Sequence, residues 1–114
     1  MKVFYSKHLP PKGYSAINLF GFVVIRVEYK ETLAQKPSLM KRLLNHESIH
    51  TRQMQEMLFI FFYLWYGLEW LMRWVIYGFK AKKAYNNILF EREAYNNDSN
   101  LEYLKDRKLF SWLR

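Results

Sequence analysis

Hydrophobic and polar positions change their period three times along the 114 residues. Val3-Phe4-Tyr5 is a short β-prone run, and Pro10-Pro11 stops regular structure after it. Beyond Gly13 come residues 14 to 17 and then a stronger run, 19 to 27. There Phe22, Val23, Val24, Ile25 and Val27 are β-formers, and Arg26, Glu28 and Lys30 begin an alternation towards solvent. This part predicts two or three short strands in antiparallel pairing. Residues 31 to 36 read as a loop closed by Pro37.

From Leu39 the period becomes helical, with Ser38 as the expected N-cap. At 100° per residue Leu39, Leu43, His46, His50, Met54 and Met57 fall on one stripe. Lys41, Asn45, Ser48, Arg52, Gln55 and Glu56 fall opposite. Residues 57 to 68 then carry no charge, and the aromatic block continues to residue 79. An uncharged run of that length is too short to span a bilayer, which needs about 20 residues. Burial in a core or an oligomer interface is the first expectation for 57–79, so a homo-oligomer through this helix is a candidate partner. A membrane-surface anchor is the second, because Trp and Tyr are followed by Lys80, Lys82 and Lys83. Residues 81 to 97 read as one helix ending near Asn96-Asn97. Ser99-Asn100-Leu101-Glu102 has capping-box form and opens a short last helix to about Lys108. The tail 109–114 is apolar enough to pack back. The whole predicts an α+β chain, mostly helical, with short N-terminal antiparallel strands followed by a helix over 38–57 and three or so further helices. Residues 1–114 form a single domain.

Composition changes this picture little. Half the residues are hydrophobic (51%) and 19% are aromatic, which excludes a disordered segment. There is no cysteine, so disulfides and thiolate-ligated metal are excluded. No apolar h-region follows Met1, and no signal peptide is expected. The net charge of +8 is spread along the chain. No nucleic-acid partner is expected, because no helix-turn-helix or RNA-binding signature accompanies the charge and the densest aromatic run, 59 to 66, lies in the uncharged block rather than among the Lys and Arg.

The chemistry lies in His46-Glu47-Ser48-Ile49-His50, of the form H-E-x-x-H. On a helix the two histidines project from one face and can hold one metal ion, with Glu47 beside it to take a proton from water. Both fall on the inward stripe. A catalytic zinc takes three protein ligands. Besides His8 upstream, Glu91 and Glu93 are available downstream; two apart on a helix they face different ways, and periodicity does not choose between them.

H-E-x-x-H on one helix followed by Glu on a later one resembles the gluzincin zinc metallopeptidases, most nearly the minimal single-domain minigluzincins. The resemblance covers about half of the chain, and it implies a zincin-like domain with Zn²⁺ as cofactor. It implies His46, His50 and Glu93 as ligands, since the glutamate ligand there is often followed by Ala, as Glu93 is by Ala94. It further implies Glu47 as general base, an edge strand that holds an extended peptide or protein substrate, and oxyanion help from a Tyr, His or Arg, for which His8, Arg92 and Tyr95 are available. Gluzincins commonly carry Asp four residues after the ligand; here Asn97 stands there and could accept from an imidazole, with Asp98 one further on. The metzincin extension is absent. The expectation is a cytoplasmic zinc-dependent peptidase, peripheral membrane contact being a second feature to test. The alternative is a non-catalytic helical module binding a membrane surface or a protein through residues 57–79.

Overall fold

The computed structural model describes residues 2 to 113. It is α+β and mostly helical, with a small sheet preceding the helices. The sheet contains β1 (Val3–Ser6), β2 (Ala16–Leu19) and β3 (Phe22–Arg26), in the order β1-β3-β2. β2 and β3 form a hairpin through Phe20 and Gly21, both at positive φ (51° and 94°), as the tightest hairpin turn requires. Gly21 meets that requirement without strain. Phe20 is held by its surroundings: its N–H donates to the Tyr63 hydroxyl at 2.9 Å, and the two rings lie 5.0 Å apart.

The expected antiparallel pairing holds for β2 and β3 but not for β1, which runs parallel to β3 with Val3 opposite Val23. A parallel neighbour needs a crossover. Residues 7 to 15 supply it as irregular chain pinned by Arg26, whose guanidinium donates to the carbonyls of Pro10 (2.6 Å) and Lys7 (3.1 Å).

Residues expected as a loop instead form α1 (Lys30–Gln35), which buries Leu33 against Val23 and Ile25. Six residues are too few for a helical period to show. α2 (Pro37–Glu56) begins on Pro37 as its first helical residue, with no side-chain cap, so Ser38 lies inside the first turn rather than at its cap. α2 joins two separate cores. Its Met40 and Leu43 pack on the sheet cluster of Val23, Ile25 and Leu33. Its Met54 belongs to the cluster of Phe62, Ile88, Phe90 and Trp112. Residues 46 to 50 occupy the stretch between the two.

α3 (Ile60–Ile76) departs from the core expectation for the aromatic block: Phe62 and Glu69 are its buried residues, and much of its apolar surface is exposed. No helix among the described residues is long and apolar enough to cross a membrane. The single helix expected over 81–97 is two, α4 (Ala81–Asn87) and α5 (Leu89–Asn97), broken at Ile88, whose backbone is extended (φ −61°, ψ 136°). The break is held from α3. The buried Glu69 carboxylate accepts the Leu89 N–H at 3.0 Å, placing a negative charge at the N-terminus of α5. Trp65 and Arg73 donate to the same carboxylate.

The capping box does not form. The Asn100 side chain accepts the Glu102 N–H, and α6 is the single turn Tyr103–Asp106. The tail packs back as expected as far as residue 113: Trp112 is buried with its ring 4.5 Å from Phe90 and 5.0 Å from Trp65. Arg114 lies outside the described residues.

Candidate metal centre

One turn apart on α2, His46 and His50 bring their Nε2 atoms within 3.2 Å of each other. Glu91, on the first turns of α5, places Oε1 3.2 Å from His46 Nε2 and 3.0 Å from His50 Nε2. All three residues are buried. Three donors disposed tetrahedrally at zinc distances of 2.0–2.1 Å would stand about 3.3 Å from one another. The observed triangle is close to that, so the residues present fit a zinc ion.

The outer nitrogens support the same geometry. His46 Nδ1 lies 2.9 Å from Asp98 Oδ2, and the other Asp98 oxygen accepts from Arg42 Nε at 2.7 Å. His50 Nδ1 lies 2.7 Å from Gln53 Oε1. The Gln53 amide is oriented by its own donations to the Phe90 carbonyl (3.0 Å) and Glu93 Oε1 (2.9 Å). Acceptors facing both Nδ1 atoms favour a proton there, the arrangement that would leave Nε2 of each ring to a metal ion once any proton shared with Glu91 is released. The second Glu91 oxygen accepts from the Tyr66 hydroxyl at 2.7 Å.

Charge balance follows from these contacts. Burial alone would lower the His50 pKa, but the Glu91 carboxylate overrides it and raises it to about 9. Burial would raise Glu91, yet the two imidazoles hold it well below the usual carboxylate range. Glu47 differs. Burial pushes its pKa up, the histidines offset this in part, and Glu91 adds to the rise. Its Oε2 is buried without a hydrogen-bond partner among the described groups. A carboxylate so placed has unspent accepting capacity, as a base awaiting a water proton would.

Glu47 lines two adjoining cavities. One, of about 440 Å³, lies between the edge strand β2 (Ala16, Ile17, Asn18) and the inner face of α3 (Phe62, Tyr63, Tyr66, Trp70), with His50 and Glu91 in its wall. The other, about 290 Å³, lies on the His46 side with Tyr85, Tyr95 and Asp98. Asn18 fixes β2 to α2, its amide donating to the Glu47 carbonyl and to Thr51 Oγ1, both at 2.8 Å.

The expected third ligand, Glu93, is not at this centre. Its Oε1 accepts from Gln53 and Arg107 (2.9 and 3.0 Å), and its Oε2 from Tyr103 and Arg107 (both 2.6 Å). These four donations outweigh its burial and hold its pKa below the ordinary value. Its link to the histidines runs through Gln53. The position expected for Asn97 is filled by Asp98, while the Asn97 amide donates to the Glu93 carbonyl. Of the three residues considered for the oxyanion, His8 and Arg92 are exposed and line neither cavity. Tyr95 packs edge-on to the His46 ring at 4.4 Å, its hydroxyl 2.8 Å from that of Tyr85.

Sequence reasoning missed Gln53, Tyr66 and Tyr85. The first carried a usable signal: Gln53 lies three residues after His50, within one turn of it. The tyrosines carried none, because their contacts with the site cross between helices.

No protein-family model, no curated protein and no solved structure matches this chain.

Proposed function

We propose that the chain is a zinc-dependent peptidase of gluzincin type, with His46, His50 and Glu91 as the metal ligands and Glu47 as the general base. The observation that carries it is the triangle of His46 Nε2, His50 Nε2 and Glu91 Oε1, with all sides between 3.0 and 3.2 Å, beside the buried Glu47 Oε2, which has no hydrogen-bond partner among the described groups. Zinc bound there supplies a Lewis acid that polarises a peptide carbonyl and lowers the pKa of water to about 7.

The chain's own residues do the rest. Asp98 and Gln53 keep both imidazoles in the tautomer that presents Nε2, and Tyr66 holds the Glu91 carboxylate. Glu47 accepts the proton of the attacking water at Oε2 and passes it to the leaving amine. Its raised pKa suits both halves of that exchange. The edge strand β2 offers backbone groups beside the larger cavity, where an extended peptide can add as a further strand. Tyr85 lines both cavities next to Glu47, and burial, then the Glu91 charge, raises its pKa. It stays a phenol and is a candidate donor for a developing oxyanion.

The test is metal content of tag-free protein together with hydrolysis of a mixed peptide library. One equivalent of zinc and cleavage lost in Glu47→Gln, with zinc retained, are expected. Less than about a tenth of an equivalent, unrestored by added zinc, overturns the reading.

A further inference from the structure

α3 turns its charged side chains inward and its apolar side chains outward. Glu69 is buried, and Arg73 folds onto it at 2.8 Å. Every exposed residue of the helix is apolar or glycine. Ile60, Phe61, Leu64, Leu68, Met72 and Ile76 recur at helical spacing and are each more than half exposed.

The strip is lengthened at both ends by Leu58 and Phe79, 71% and 63% exposed, with φ of 52° and 67°. A left-handed backbone is unfavourable for such side chains, so the two turns hold apolar groups towards solvent against a local cost. The exposed apolar area along this strip is on the order of 1,000 Å², against roughly 300–600 Å² for the largest patch of a typical monomer.

Charge identifies what covers it. Lys80 and Lys83 follow Phe79 and are exposed, with Lys83 4.8 Å over the Tyr77 ring. The chain carries 18 Lys and Arg against 10 Asp and Glu. Pairing α3 with α3 of a second copy brings two chains of +8 together, whereas a negatively charged surface attracts this one. The described helices are too short or too polar to cross a bilayer, so such a surface would meet α3 lengthwise, along its outer face.

We propose that the outer face of α3, with Leu58 and Phe79, docks into the interface of a membrane carrying anionic lipid. The inner face of the same helix (Tyr63, Tyr66, Trp70) walls the larger cavity, so docking sets that cavity beside the lipid surface. The inference is independent of metal binding and of hydrolysis.

Sedimentation of the full chain with phosphatidylcholine vesicles, with and without phosphatidylglycerol, at low and high salt, tests it. The chain pellets with anionic vesicles at low salt and several-fold less with neutral vesicles or at high salt. Leu68→Glu with Met72→Glu lowers the bound fraction about tenfold while circular dichroism stays unchanged. Lys80→Glu and Lys83→Glu each weaken anionic-vesicle binding about fivefold or more. Three results overturn the proposal: no pelleting with anionic vesicles at low salt; undiminished pelleting of the Leu68, Met72 variant; or a dimer dissolved by that variant in protein that ignores vesicles.

Discussion

At the residue scale the site turns on Glu91 and Glu93, two positions apart with opposite duties. Glu91 faces two imidazole nitrogens and one tyrosine, while Glu93 faces Arg107, Tyr103 and Gln53. Glu91→Ala is expected to abolish stoichiometric zinc. Glu93→Ala keeps the metal with about 10- to 100-fold weaker affinity, because it acts through Gln53. It also costs about 2 kcal/mol, since Arg107 and Gln53 lose an acceptor while Arg107 keeps Glu56. Metal titration and denaturant midpoints of the two variants separate these outcomes. Reversal of the two zinc results would return Glu93 to the ligand set.

The same scale sets the pH behaviour. In metal-free protein the His50 pKa is about 9, above the unfolded value near 6.5. Its contribution to stability is therefore fully present below about pH 6.5 and is lost as pH rises through 9. Zinc requires the neutral ring, so binding at pH 7 releases about one proton, and affinity climbs with pH towards 9. Calorimetry in buffers of different ionisation enthalpy counts that proton; none released would contradict the assignment. Glu47→Gln is expected to cost 10²-fold or more in turnover while leaving the metal-free fold at least as stable, because it replaces a buried carboxylate whose ionised form burial disfavours.

At the scale of elements, the break between α4 and α5 decides which glutamate reaches the histidines. A continuous helix over 81–97 would have presented α5 at a different rotation. The break is held by Glu69, on the helix that follows the motif helix, which accepts from the first residue of α5. Glu69→Ala is expected to destabilise by about 1–2 kcal/mol through loss of this cap and to weaken zinc binding, although Glu69 touches no ligand. An unchanged zinc affinity would show that packing of Phe90 and Ile88 alone holds the break. Gln53, itself on α2, performs a similar joining task between His50, the Phe90 carbonyl and Glu93.

At the scale of the whole molecule, α2 bridges a sheet core and an aromatic core, and the candidate metal centre lies between them. An ion held by His46, His50 and Glu91 would tie α2 to α5. Zinc at 100 times its dissociation constant should add about 2.7 kcal/mol, a rise in melting temperature on the order of 10 °C in a chain of this size. The rise should vanish with chelator and in Glu91→Ala. Trp112→Ala, which opens the aromatic core where the tail closes it, should cost about 3 kcal/mol or more with zinc stoichiometry unchanged.

What the sequence determined alone is what local periodicity can carry. The spacing of His46 and His50 on the apolar stripe of a helix follows from 3.6 residues per turn, and the β-formers of 22–27 suffice for a strand, although the run read from 19 to 27 is cut by the turn at Phe20-Gly21. The tertiary structure decided the rest, because each remaining choice depends on a partner distant in the chain. β1 runs parallel to β3, with Arg26 tying down the crossover between them. α3 turns its apolar side outward while Glu69 pairs with Arg73 and the Leu89 N–H on its inner side. Glu91 rather than Glu93 meets the histidines because α5 starts at a break that no helical period announces.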